Sequence, residues 1–134
     1  MFVDACAIIS IMAREDTAEA YQSALTGAAA PFTSALAAWE AVIIMARPDQ
    51  LDCSYAEAEA VVVSWLDTNG IALREHFDPR SVLAHAVAVA QTHGLVKRAL
   101  SNFDCFHYAQ ARAAGTPILT LDRLLQQTDV ETRP

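Results

Sequence analysis

Short apolar segments alternate with helical runs along the whole chain, and this alternation most narrowly constrains the fold. Residues 1–4, 31–33, 71–74 and 117–121 read as strands of a few apolar residues, with a further strand at 130–132. Between them lie helical runs over about 5–13, 16–25, 34–47, 54–70, 78–93 and 104–114, and a short one at 123–127. Strands this short and this apolar, separated by helices, are buried on both faces of a parallel sheet. The punctuation agrees. Ser54-Tyr-Ala-Glu57 is a capping box, and Asp78-Pro79 places an N-cap before a proline at the first helical position. Gly27, Gly70, Gly94 and Gly115 each follow a helical run, where a left-handed cap is expected. No proline interrupts a periodic segment, and no repeat or linker divides the chain, so residues 1–134 form one domain.

Four carboxylates stand where the chain leaves a strand or enters a helix. Asp4 follows the first strand, and Asp122 closes Ile118-Leu-Thr-Leu-Asp122. Glu40 lies in the helical run that starts at Ser34, and Asp104 opens Asp-Cys-Phe-His-Tyr-Ala-Gln-Ala. Ligands of open parallel sheets sit beyond the carboxyl ends of the strands, so the topology permits a shared pocket. Clustered like charges raise one another's pKa or recruit a cation, and oxygen-only donors suit a hard divalent ion. Each acid also has an ordinary alternative. Asp4 and Asp122 could be helix caps, and Asp104 in a first turn is favoured by the helix dipole. Glu40 is hardest to explain away, because its neighbours are almost wholly apolar and an unpaired buried carboxylate is costly.

Composition narrows the partners. The net charge of −7 argues against a broad basic surface for nucleic acid. A few cations (Arg14, Arg47, Lys97, Arg98, Arg112 and Arg123) could still hold phosphates once a metal offsets the pocket. No apolar run approaches the roughly 18–20 residues needed to span a bilayer. The first residues lack the pattern of a signal peptide, so a cytoplasmic location is expected. Cys6, Cys53 and Cys105 are odd in number and form no C-x-x-C pair, which predicts reduced, mostly buried thiols. The 54% hydrophobic content in so short a chain leaves apolar surface to cover, and a homodimer is expected. Trp39 and Trp65 read as core residues. His107, three residues after Asp104, shares its helical face and reads either as a packing or surface histidine or as a substrate contact.

Asp4 after the first strand, Thr33-Ser34…Glu40, Leu100-Ser-Asn-Phe-Asp-Cys-Phe-His-Tyr-Ala-Gln-Ala111 and Pro117-Ile-Leu-Thr-Leu-Asp122 resemble, in order and spacing, the PIN-domain ribonucleases. The similarity is greatest to the VapC-type toxins of bacterial type II toxin–antitoxin pairs. The resemblance implies a three-layer α/β/α fold with a short central, mostly parallel sheet of four or five strands. It implies a Mg²⁺- or Mn²⁺-dependent endoribonuclease that acts on structured RNA, is often dimeric, and is silenced by a small antitoxin over the site. Asp4, Asp104, Glu40 and Asp122 would be its metal ligands, the last two directly or through water. Cys6, Ser34 and Thr120 are candidates for the surrounding hydrogen-bond shell. Cys6 stands where the family commonly has Ser or Thr, Phe103 where glycine is frequent, and Leu124 where many members carry another acid. The last change argues for one metal rather than two. Two other readings remain: a PIN fold that has lost catalysis and serves as a binding module, or a receiver-like signalling domain with an acidic Mg²⁺ pocket. The second wants an acidic pair after the first strand and a strand-ending lysine, and the chain has neither.

Overall fold

The computed structural model describes residues 1–76, 78–94 and 99–134. The elements run β1 (Phe2–Val3), α1 (Ala5–Ala13), α2 (Ala18–Thr26), β2 (Phe32–Thr33), α3 (Ala35–Met45) and α4 (Tyr55–Thr68). They continue with β3 (Ala72–Leu73), α5 (Pro79–His93), α6 (Asn102–Ala113), β4 (Ile118–Leu119), a 3-10 turn (Leu125–Gln127) and β5 (Thr132–Arg133). The five strands form one parallel sheet in the order β3-β2-β1-β4-β5. Six helices enclose it in a three-layer α/β/α fold.

Strand alternation divides the core. Phe2, Phe32 and Ile118 point to one side, against Val82, Ala86 and Val89 of α5 and Cys105, Tyr108 and Ala109 of α6. Val3 and Leu119 point to the other, against α1, α2, α3 and α4, where Ile8, Tyr21, Val42, Val62 and Leu66 close the layer. A large apolar side chain buried this way stabilises by about 1.5–3 kcal/mol. Two-residue strands have few ladder hydrogen bonds, so these side chains, not the ladder, hold the sheet.

The capping signals work as read at α4 and α5, and α6 adds a further box. Ser54 with Glu57, and Ser101 with Asp104, form reciprocal capping boxes, and Asp78 accepts from Arg80 N ahead of Pro79. Helix α6 therefore starts at Asn102, with Asp104 inside its first turn rather than at its start. Among the glycines, Gly70 and Gly115 adopt the left-handed conformation (φ 66° and 60°), whereas Gly27 and Gly94 do not. Gly94 is required for space instead: a Cβ there would stand 2.6 Å from the Ala90 carbonyl oxygen. The last strand lies at Thr132–Arg133, slightly beyond its expected place, because Ile118 and Leu119 pair with those two residues. Trp39 is not a core residue. It is 44% exposed and packs edge-on against Tyr55 at 5.5 Å, while Trp65 is half-buried. Of the three thiols, only Cys105 is fully buried. Lys97 and Arg98 lie outside the described residues.

The topology places the site. From β1 the chain steps to β2 and then β3, and α5 and α6 carry it back to β4 on the opposite side of β1. The carboxyl ends of β1 and β4 thus flank the switch point where open α/β sheets bind ligands. Val3 is in register with Leu119, which sets Asp4 beside Thr120 at that edge.

Candidate active site

Asp4 occupies the N-cap position of α1, yet its side chain makes no capping bond. The carboxylate is buried and turns to the neighbouring elements. Its Oδ2 accepts from Thr120 Oγ1 at 2.7 Å and from Cys6 Sγ at 2.9 Å, and its Oδ1 lies 2.8 Å from His107 Nδ1. Burial alone would push the Asp4 carboxyl up. The His107 contact and charge, with the thiol and hydroxyl donors, outweigh it and hold the group below its ordinary value. Cys6 and Thr120 thus both serve Asp4, the roles their positions suggest. Ser34 is instead occupied at the start of α3, accepting from Ala37 N.

Helix α3 brings Glu40 and α6 brings His107 to the same place. His107 is wholly buried, and its Nε2 is 3.7 Å from Glu40 Oε2. Burial lowers the imidazole pKa, but Asp4, Glu40 and Asp104 more than compensate, leaving it above its ordinary value. Burial raises the Glu40 carboxyl, His107 opposes, and the charges of Asp4 and Asp104 add to the rise. Asp4, Glu40 and Asp104 therefore share one electrostatic environment around an imidazole. The imidazole contact is Coulombic, since neither ring nitrogen nor Glu40 Oε2 has an aligned hydrogen-bond partner among the described residues. Residues after β3 brace the two helices. Glu75 accepts from Ala35 N at the start of α3 and from the Gln110 amide on α6, and Gln110 Oε1 accepts from His76 N.

Asp122 has its side chain engaged locally. It follows β4, but its Oδ1 accepts from Leu124 N at 2.7 Å and Leu125 N at 3.0 Å, capping the 3-10 turn. Asp104 likewise accepts from Ser101 N with one oxygen. Among the described residues, no three His, Cys, Asp or Glu side chains stand ready-made to hold a metal ion. The donor chemistry nevertheless fits a hard divalent cation, because Glu40 Oε2 is buried without a hydrogen-bond partner beside two further carboxylates. His107 lies against that oxygen and against Asp4 Oδ1. The sequence suggested His107 only through its spacing from Asp104; Tyr21, Glu75 and Gln110 carried no signal.

A parallel sheet with carboxylates gathered around an imidazole at its switch point defines the class of the molecule as an α/β protein with an acidic site. The family model of the PIN domain matches residues 1–131, and the chain belongs to the PIN domain family, a nuclease fold. Among curated proteins, no sequence matches the chain.

Proposed function

We propose that this protein is a divalent-metal-dependent endoribonuclease and the toxin of a type II toxin–antitoxin pair, cleaving structured RNA such as tRNA or rRNA. The observation that carries the reading is the buried Glu40 Oε2, without a hydrogen bond and in the field of Asp4 and Asp104, at the switch point of a PIN fold. Asp4, Glu40 and Asp104 would hold Mg²⁺ or Mn²⁺, with Asp122 more remote or acting through water. A bound ion supplies charge stabilisation at the phosphate and an acidified water. The chain's own groups do the rest. Thr120 and Cys6 keep Asp4 ionised and fixed. Glu40, whose carboxyl burial raises above its ordinary value, is the carboxylate best suited to take up a proton. Arg14, Arg47, Arg112 and Arg123 are exposed cations that can anchor flanking phosphates.

Two surfaces support the expected partners. A groove of about 420 Å³ between α3 and α4, lined by Trp39, Val42, Tyr55, Val62 and Leu73, suits a small antitoxin. Exposed Leu83 and Val87 on α5 suit a second copy of the chain. One observation favours the silent binding module: His107 already lies against both Asp4 and Glu40, at 2.8 and 3.7 Å, where a cation would sit. A growth and RNA-cleavage assay of wild type beside Asp104→Asn separates the two. Cleavage with Mg²⁺ or Mn²⁺ that EDTA abolishes and Asp104→Asn reduces at least a hundredfold is the expected result. A wild-type protein that cuts no RNA with either ion and does not arrest growth sinks the nuclease reading.

A further inference from the structure

Tyr21 lies on α2, yet its hydroxyl is buried at the end of β4. It accepts from Leu121 N at 2.8 Å and lies 3.3 Å from Cys6 Sγ. Cys6 Sγ in turn lies 2.9 Å from Asp4 Oδ2 and 3.2 Å from Thr120 Oγ1. Proton counting orders these contacts. The Leu121 N–H occupies the Tyr21 oxygen as acceptor, so the phenolic proton must be given elsewhere, and the described acceptor is Cys6 Sγ. The thiol then has its single proton free for Asp4 Oδ2. A parallel route runs from Asp122 N to Thr120 Oγ1 at 3.1 Å, and from the Thr120 hydroxyl to the same Asp4 oxygen at 2.7 Å.

We infer that Tyr21 is a positioning residue of the site: it directs the Cys6 thiol, and two relays starting at the backbone after β4 converge on Asp4 Oδ2, leaving Oδ1 as the one oxygen Asp4 can offer a cation or His107. A lone thiol is a weak donor, and a hydroxyl donating into its sulfur strengthens it cooperatively. Tyr21 thereby compensates for the sulfur at position 6. The inference rests on the nuclease reading only for its consequence at a metal, and its first test needs none.

The infrared S–H band of Cys6, isolated as wild type minus Cys6→Ala, reports how strongly the thiol donates. In Tyr21→Phe, which keeps the ring in the core, the band should move to higher wavenumber; an unshifted band overturns the inference. Mn²⁺ titration by calorimetry gives the second readout. Tyr21→Phe should weaken Mn²⁺ binding about tenfold, the usual effect of losing a group that orients a ligand. Tyr21→Phe/Cys6→Ala should be no weaker than Cys6→Ala alone, because both act through one route. Additive losses would mean that Tyr21 merely supports the core, and would equally overturn the inference. If wild type binds no Mn²⁺, the nuclease reading fails while the S–H band still decides this one.

Discussion

At the scale of single residues, Asp4 and His107 make stability depend on pH in opposite directions. The Asp4 carboxyl is lowered from 3.8, so its stabilisation is present above that value and lost as pH falls through the folded pKa. The His107 imidazole is raised from 6.5, so its stabilisation is complete below 6.5 and lost as pH rises through the higher folded value. Glu40, raised from 4.5, also makes the fold weaker as pH rises past its unfolded value. The metal-free protein should therefore show its highest denaturation midpoint above 3.8 and below 6.5, declining toward alkaline pH. In His107→Gln, urea denaturation in EDTA should show a shallower alkaline decline; an unchanged slope would remove His107 from the network. Thr120 is a second sensitive point, because its buried hydroxyl both donates to Asp4 and accepts from Asp122 N. Thr120→Val leaves both partners short of a hydrogen bond and should cost about 1–3 kcal/mol, measured by the same denaturation.

At the scale of elements, the two capping boxes differ in consequence. Ser54→Ala should cost about 1 kcal/mol of stability and leave the site alone, since α4 carries none of its acids. Ser101→Ala should cost about as much, because it removes the Oγ that accepts from Asp104 N, and should also loosen the first turn of α6 that positions Asp104. Thermal melts of the two variants should then agree, while RNA cleavage falls in Ser101→Ala alone. The first box was legible as Ser-x-x-Glu, as were the short apolar strands and the acids at their ends, whereas Ser101-x-x-Asp104 was not legible as a box. Helix α3 shows where legibility stops. Residues 35–46 are apolar nearly all round, so no polar stripe says which side faces water, and Trp39 was placed in the core it does not enter. His107 was visible as a neighbour of Asp104, but what lies opposite a helical face is set by packing against β1 and α3, which spacing along one helix does not encode. Tyr21 was hidden more completely, because its polar partners come from α1 and from the segment after β4.

At the scale of the molecule, a chain of net charge −7 has acids at the one place where it would meet phosphates. RNA affinity should therefore depend on the divalent ion more than on monovalent salt. Filter binding of the Asp104→Asn variant should show a shallow slope of log affinity against log salt, well below that of a basic RNA-binding domain. A steep slope would point to a basic surface instead. The strand lengths have a separate consequence. Every strand contributes only two residues to the sheet, so no strand has an end that can peel away while its middle stays paired. Opening any rung of β1 or β4 must also expose Phe2, Val3, Ile118 or Leu119 from between the helical layers. Hydrogen exchange of the β1 and β4 amides should accordingly occur only through global unfolding, with no slower-fraying intermediate, making these few amides a direct gauge of the whole protein's stability.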